Sequence, residues 1–411
     1  MAREVGLPRR VAEASSATPL ALGGMLGAGV FLGPAPAARL AGAWLLSGIP
    51  IAALTAVCCA LAVMHQGGIH RGPGAVYTGI RSTMGLVPGR IAAGTSLAGH
   101  VAALAAVAGA VGRYLPSPDT ATAVVAVLLT VLASTAGLRI RGGAAWLWLV
   151  LTLAVVAVVV AACLSIAPVT SGGARSHDLL GVGGAAGTMF FCFLGFERLA
   201  APAEERDGHG GRALRLGLGV SLTAVLVVSA LVGVALLRQL GAARLALSPV
   251  PLTDALRAAA APGLTSLVGV GAALALLPVL LGVLESLRST ARAVVADGDL
   301  PAALGRTGGR GTPHLLDLAA GLVAAGLSVA VEPAQAIVLA ACCLLAHYAF
   351  ANAGTRILLL RGSKWMRRTA CLGMGLSVVL AMSMPLPAVL GTLLVVVVAP
   401  ALMGAASGRW R

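Results

Sequence analysis

The sequence predicts an all-helical protein that crosses a membrane many times. Hydrophobic residues make up 58% of its 411 residues and charged residues only 10%, whereas soluble globular domains have roughly 25% charged residues. The mean hydropathy is +0.96. Too little polar surface remains to cover a water-exposed core, so the composition excludes a soluble enzyme. The net charge of +15 comes from short basic clusters between apolar runs, which is typical of membrane topology and not of nucleic-acid binding.

Twelve apolar runs are long enough to be membrane spans, since a bilayer core of about 30 Å needs about 20 helical residues. They lie near 16–39, 42–64, 87–112, 120–138, 144–168, 181–200, 214–237, 263–291, 315–331, 334–359, 369–385 and 387–406. With a cytoplasmic amino terminus, 23 of the 29 basic residues fall on the inner side. This asymmetry predicts a multi-pass protein of the cytoplasmic (inner) membrane with both termini in the cytoplasm.

Glycine-rich interruptions occur in the first and sixth runs. Residues 23–34 contain five glycines and a proline, and the sixth run has four glycines before Gly195. Lipid cannot hydrogen-bond a freed backbone, so a broken helix must line a protein cavity. Because five runs separate the two interruptions, the second copy of a repeat would be inverted, and two such breaks would meet near the bilayer midplane. The alternative is that these glycines only let helices pack closely, as the spacing of Gly23 and Gly27 also allows.

Four motifs carry a family resemblance. Residues 24–31 (GMLGAGVF) resemble a G-x-x-G-[SA]-G-[IV]-F motif, and residues 190–197 (FFCFLGFE), with the A-E-E of 203–205, resemble an F-x-G-[FYV]-[ED] signature. Residues 71–77 (RGPGAVY) and 297–301 (DGDLP, with GTP at 311–313) are similar to two connecting segments. In this order they resemble the amino acid, polyamine and organocation permease superfamily.

The resemblance implies a leucine-transporter-like fold, with two inverted five-helix repeats, broken helices 1 and 6, and two peripheral helices. It divides the chain into a cytoplasmic segment (1–14), a ten-helix core (15–360, with repeats 15–170 and 180–360) and a peripheral pair of helices with a short tail (361–411). It also implies an amino acid permease that moves an amino acid or a related amine by alternating access, as a proton symporter or an exchanger.

The same resemblance implies a set of substrate-binding positions. An unwound first helix would hold the substrate carboxylate at Met25, Gly27, Ala28 and Gly29. Backbone carbonyls of Leu194 and Gly195 would hold the amino group, and Phe191 would stand at an aromatic gate.

Two ionisable residues inside the spans are candidates for coupling or gating, since charges in a membrane are costly and usually functional or paired. Glu197 follows Gly195 closely, so it either takes up a proton or serves as a structural partner for a basic residue. His100 either faces a cavity or is a hydrogen-bonded packing group. Sodium-coupled relatives of the fold bind the cation partly through hydroxyls of the eighth helix, where Ser289 and Thr290 are available. The coupling ion, H⁺ or Na⁺, remains open.

Other function classes require sequence patterns that can be compared with this chain. A polyamine or organic-cation transporter or antiporter of the same fold is the nearest alternative. An ion channel would need a repeated filter or charged rings, and a membrane enzyme would need a catalytic constellation such as HExxH; neither pattern is present. A six-plus-six permease would separate the interruptions by six spans. We therefore predict no enzymatic activity, no cofactor and no metal site, with a small molecule and the lipid bilayer as partners.

Overall fold

The computed structural model describes residues 7–70, 72–115, 120–138, 140, 142–168, 181–200, 210–309, 311–360 and 362–407. Within these ranges the chain forms sixteen α-helices, joined by turns and short 3-10 helices, and no strand. The helices are α1 Leu7–Leu32, α2 Pro34–Ala41, α3 Leu45–Ile69, α4 Ala75–Met84, α5 Leu86–Tyr114, α6 Thr120–Thr135, α7 Gly143–Ser165, α8 Val182–Met189, α9 Glu197–Ala200, α10 Gly210–Leu247, α11 Pro251–Ala258, α12 Pro262–Ala296, α13 His314–Ala330, α14 Pro333–Leu358, α15 Lys364–Met382 and α16 Leu386–Ser407.

Each of the twelve predicted spans coincides with one helix or with a pair of helices. Among the described residues, seven helical segments are long and apolar enough to cross a membrane, and four further apolar helices are shorter. The shorter ones are Thr18–Leu32, Thr120–Thr135, Val182–Phe193 and His314–Ala330. The eleventh run forms α15. The prediction of an all-helical, polytopic membrane protein is confirmed.

α5 lies at the centre of the bundle, and α16 lies at its edge. In its most apolar stretch, 78% of the residues of α5 are buried, against 22% for α16. α5 packs along α12 and α14, and alanine and glycine occupy most of its buried positions. Small side chains allow helix backbones to approach closely, so the composition of this run explains its central position.

The first span (7–41) does not unwind where its glycines cluster. α1 continues as an α-helix through Met25–Gly29 to Leu32, and the chain bends only at Gly33, before Pro34. The expected break at 25–29 is therefore wrong in position. A Cβ on Gly23 would lie 2.8 Å from the Trp148 ring. Close helix packing thus offsets the low helix propensity of glycine.

Two further glycines of α1 make equally close contacts. A Cβ on Gly27 would lie 2.6 Å from Cγ2 of Val279 on α12, and one on Gly29 would collide with the backbone of Cys192 in the sixth span. Interhelical packing, which was the alternative interpretation of these glycines, describes this part of α1.

The sixth span (182–200) does break, close to the predicted position. α8 passes into a 3-10 turn over Phe190–Phe193, after which Leu194 is extended (φ −67°, ψ 133°) and Gly195 has φ +123°. A residue with a Cβ rarely adopts such a positive φ, so glycine is required here. The helix resumes at Glu197. Gly195 lies against Ala21 and Met25 of α1, so the sixth span packs on the first, five spans earlier.

Two of the motif segments meet at one end of the bundle, called here the α4 end because α4 lies there: the hydroxyl of Tyr77 donates to Asp299 Oδ2 at 3.4 Å. Arg90 Nη2, from the start of α5, donates to Asp299 Oδ1 at 2.7 Å, and Arg81 of α4 bridges Asp299 and Asp297. Burial alone would raise the pKa of Asp299, but the hydrogen bonds from Arg90 and Arg81 hold that pKa below its ordinary value. Asp299 therefore ties α4 and α5 to the α12–α13 connection.

Some expectations fall on residues outside the described ranges. These are the A-E-E stretch at 203–205 and the boundary between the two repeats at 170–180. α1 already begins at Leu7, within the segment predicted to precede the first span.

Candidate functional site

A cavity lies where α1, α5, the sixth span, α12 and α14 meet. Its empty space amounts to about 480 Å³, of which about 40 Å³ can hold the centre of a water molecule. Six of the residues predicted for the site line it: Ala28, His100, Phe191, Leu194, Gly195 and Glu197. The structure thus brings together groups from three separate runs of the sequence, with the broken sixth span forming one wall.

The other predicted positions of the first helix do not line this central cavity. Met25 is buried against Gly195, while Gly27 and Gly29 face α12 and the sixth span. Their N–H groups belong to the continuous α1 helix, where they donate to carbonyls one turn back. The expected unwound carboxylate site at 25–29 is therefore absent from the described part of α1.

Glu197 is held at the cavity wall by α14 and α5. The hydroxyl of Tyr348 donates to Oε1 of Glu197, and Nε2 of His100 lies 3.8 Å from Oε2. The Glu197 side chain remains 23% exposed, whereas Tyr348 is fully buried. The carboxylate is thus fixed by its partners and still open towards the cavity.

The hydrogen bonds of His100 define where a proton can reside. Its Nδ1 lies 2.7 Å from the carbonyl oxygen of Ser96, which can only accept, so Nδ1 carries a hydrogen. Nε2 then carries a hydrogen only in the imidazolium form. The pair of His100 and Glu197 can therefore hold one proton on either partner.

A second cavity of about 500 Å³ connects this site to the α4 end. Glu197 and Ser286 line both cavities, and His347, Ser289 and Thr290 line the second. The remaining predicted residues, Ser289 and Thr290, thus lie on this path. Polar groups therefore line the space from the centre to the α4 end.

Both hydroxyl residues on this path contact neighbouring elements. Ser289 accepts a hydrogen bond from the N–H of Gly74 at 2.9 Å, and the hydroxyl of Thr290 lies 3.3 Å from that of Ser96. Ser289 therefore joins α12 to the segment before α4, and Thr290 joins α12 to α5.

The opposite end of the bundle is called here the α11 end, because α11 lies there. A cavity of about 680 Å³ opens there between α2, α5 and α14, and Phe31 forms part of its wall. Phe31 and Tyr114 are both buried, meet edge to face at 5.8 Å, and Tyr114 donates to the carbonyl oxygen of Phe31 at 3.2 Å. Phe31 lines the cavity at the α11 end and Ala28, one helical turn earlier on α1, lines the central one, so the aromatic pair lies beside the path between the two cavities.

Arg198 was missed as a site residue. Its side chain lines the central cavity, next to that of Glu197. The available signal was its position inside the sixth apolar run, directly after Glu197. Both residues belong to α9, the short helix that follows the turn at Gly195.

The helical bundle, its broken sixth span and its central cavity are typical of multi-pass membrane transporters. The chain is 34% identical over 383 residues to an uncharacterized transporter of Mycobacterium bovis and equally to one of Mycobacterium tuberculosis. These alignments cover 90% of this chain and 85% of each relative. The chain therefore belongs to the family of these mycobacterial transporters. No family model matches it.

Solved structures share the fold. Two mutant forms of a manganese transporter of Eremococcus coleocola superpose with TM-scores of 0.59 and 0.60, covering 99% of this chain and 95% of theirs. The sequence identity is 14% in both cases. The likeness therefore concerns the fold and leaves the cargo to be inferred from the cavity.

Proposed function

We propose that the protein is a secondary transporter that moves an amino acid or a related amine across the cytoplasmic membrane by alternating access. The observation that carries this proposal is the central cavity, which adjoins the broken sixth span. The packed rings of Phe31 and Tyr114 lie towards the α11 end, and a second cavity, lined in part by polar groups, continues the central one towards the α4 end. A site reached from one side at a time is what alternating access requires.

The chemistry of the cavity favours an organic cargo. Its wall combines a carboxylate, a guanidinium and an imidazole with the apolar surfaces of Phe191 and Leu194. Apolar walls with a few convergent polar groups are typical of small-molecule sites. The amine of a cargo would face Glu197 or the carbonyls near Gly195.

A metal cargo is the second candidate, because the solved structures that share the fold are manganese transporters. In this chain Arg198 places a fixed positive charge in the cavity. That charge opposes a divalent cation by Coulomb repulsion, which is strong where water is scarce.

We also propose that transport is coupled to protons through Glu197 and His100. The groups that face Glu197 are His100 from α5, Tyr348 and His347 from α14, and Arg198 beside it. His100 and His347 both donate from Nδ1 to carbonyls of α5, which leaves each Nε2 free to take up a proton. Ser289 and Thr290, the sodium candidates, contact α4 and α5 instead of α1.

The orientation follows from charge. The basic clusters near α4 and after α14 predict that the α4 end faces the cytoplasm. Labelling of single introduced cysteines in intact cells tests this. Reaction of an impermeant reagent at the α4 end would contradict the orientation.

Uptake by purified protein in proteoliposomes tests the function. The screen covers the common amino acids, the polyamines putrescine and spermidine, and Mn²⁺, with and without an inward proton gradient. We expect uptake of amino acids that rises with the proton gradient and is abolished in Glu197→Gln. Glu332→Gln is the control, since Glu332 is an exposed acidic residue at the α11 end. Uptake of Mn²⁺ or polyamines alone would assign the alternative cargo.

A further inference from the structure

The guanidinium of Arg198 occupies a defined place in the central cavity. A Cβ on Gly282 of α12 would lie 2.6 Å from its Nη1 atom, which is too close for a stable contact. A Cβ on Gly24 of α1 would lie 3.9 Å from the same atom. Arg198 therefore fits against α12 only because position 282 has no side chain.

Among the described residues, no direct hydrogen bond or ion pair reaches this guanidinium, and Glu285 and Glu197 stabilise its charge only at longer range. Glu197, the adjacent carboxylate, is bound by Tyr348 and lies near His100. Glu285, the next acidic group on α12, pairs with Arg288 at 3.0 Å. A positive charge withdrawn from bulk water without a partner is unfavourable. The cavity therefore favours a negatively charged group beside Arg198.

Glu197 supplies the opposite charge on the same wall. Because its side chain is partly exposed to the cavity, a positively charged group can approach it. The remaining wall is largely apolar, with Ala28, Ala103 and Leu344 among its members. Within the described part of the chain, the cavity thus combines a guanidinium without a direct hydrogen bond or ion pair, an accessible carboxylate and a hydrophobic surface.

We propose that the cargo is a small apolar α-amino acid in its zwitterionic form, with its carboxylate bound by Arg198 and its ammonium facing Glu197. This inference rests on the proposed function and specifies its substrate. A planar guanidinium binds a carboxylate through two parallel hydrogen bonds, which fixes orientation as well as charge. Arg198 thereby takes the role that the family resemblance gave to an unwound first helix, whose N–H groups are engaged within α1.

The apolar part of the wall restricts the chemistry of the cargo side chain. Ala28 and Ala103 line the cavity, so an aliphatic side chain would pack there without leaving a polar group unpaired. Charged side chains would lack a partner there, and an unpaired charge is costly.

Equilibrium binding to the purified protein in lipid nanodiscs tests the inference. The probes are L-alanine, L-leucine, leucinamide and isoamylamine, of which the last two lack the carboxylate. We expect the wild-type protein to bind leucine at least about 30-fold more tightly than either analogue, as for loss of a buried charge pair. Arg198→Gln should weaken leucine binding by a similar factor and change leucinamide binding by less than about 3-fold.

Two further variants separate a binding role from a structural one. Arg198→Lys keeps the charge without the planar fork, so it should recover part of the leucine affinity. Gly282→Ala should weaken leucine binding by displacing the guanidinium, while the arginine itself is retained. Gly326→Ala is the matched control, since that glycine of α13 has open space around it. Thermal unfolding of each variant checks that the protein remains folded.

The outcomes distinguish this inference from the proposed function. Equal binding of leucine and leucinamide by the wild type, or unchanged leucine binding in Arg198→Gln, overturns the role of Arg198 and leaves an amine transporter in place. Binding of Mn²⁺ with no binding of any amino acid or amine overturns both.

Discussion

The first and sixth spans are both rich in glycine, but only the sixth is broken. In the first span, Gly23, Gly27 and Gly29 lie in continuous helix and touch neighbouring helices. In the sixth span, Gly195 adopts φ +123° and ends the helix. Glycine content alone does not predict a break, because the same residue serves close packing in one place and an unusual backbone conformation in the other.

A substitution at the contact between these two spans should cause the largest loss of stability. Gly29→Val would place methyl groups against the backbone of Cys192, where no flexible side chain can yield. We expect a loss of about 3 kcal/mol or more, enough to prevent recovery of folded protein. Size-exclusion yield and thermal unfolding in detergent measure it. A stable, monodisperse Gly29→Val protein would show that the helices are not in contact there.

A substitution remote from both spans gives a reference value for the destabilisation expected of Gly29→Val. Asp299→Asn removes the carboxylate that Arg90 and Arg81 share, and we expect about 3 kcal/mol of destabilisation with the contact between the spans intact. Because the pKa of Asp299 is lowered on folding, its stabilisation is present above about pH 3.9, the ordinary Asp pKa, and is lost as the pH falls through the folded pKa. Lowering the pH should therefore destabilise the wild type more than Asp299→Asn. Thermal unfolding of both proteins at a series of decreasing pH values measures this. Equal acid sensitivity of the two proteins would contradict this.

Gly195→Ala tests the conformational role of the sixth span. A Cβ there has ordinary space, 3.4 Å from the nearest atoms, so the strain comes from the positive φ. We expect a cost of about 2 kcal/mol and a loss of transport larger than the loss of folded protein. Uptake normalised to folded protein checks this. If Gly195→Ala transported normally, the turn would not be needed for function.

Two tyrosines on neighbouring helices, Tyr114 of α5 and Tyr348 of α14, each donate a hydrogen bond to one of the two spans. Tyr348 donates to the carboxylate of Glu197 and Tyr114 donates to a carbonyl of α1. Hydrogen bonds to charged groups contribute more, so we expect about 1.5 kcal/mol for Tyr348→Phe and about 1 kcal/mol for Tyr114→Phe. Thermal unfolding of the two variants side by side gives the order. The reverse order would mean that Glu197 does not depend on the hydroxyl.

Gly24→Ala should have the smallest effect. This glycine of α1 has only the tip of Arg198 within 4 Å, at 3.9 Å. We expect a stability change within about 0.5 kcal/mol, because the better helix propensity of alanine offsets a minor contact. A loss comparable to that of Gly29→Val would imply that all glycines of α1 are packed equally, which the contacts contradict.

The sequence predicted the spans better than the site. Apolar run length and basic clusters gave all twelve spans, since hydrophobic thickness is the dominant constraint on such a chain. The break near Gly195 was also predicted. The break in the first span was misplaced, because the partners of Gly27 and Gly29 lie on α12 and the sixth span and are invisible to local patterning. The part played by Arg198 was missed for a related reason, since its direction depends on the turn at Gly195.

The bend at Gly33 has a consequence for how the first span can move. Pro34 and Pro36 carry no N–H, so the turn after Gly33 lacks two helical hydrogen bonds, which lowers the cost of rotating α2 about it. We therefore expect α1 to stay fixed against its neighbouring helices, while α2 moves as a unit beside the rings of Phe31 and Tyr114. Spin-label distances from α2 to α5 that change with cargo, at constant α1-to-α12 distance, are the expected signature.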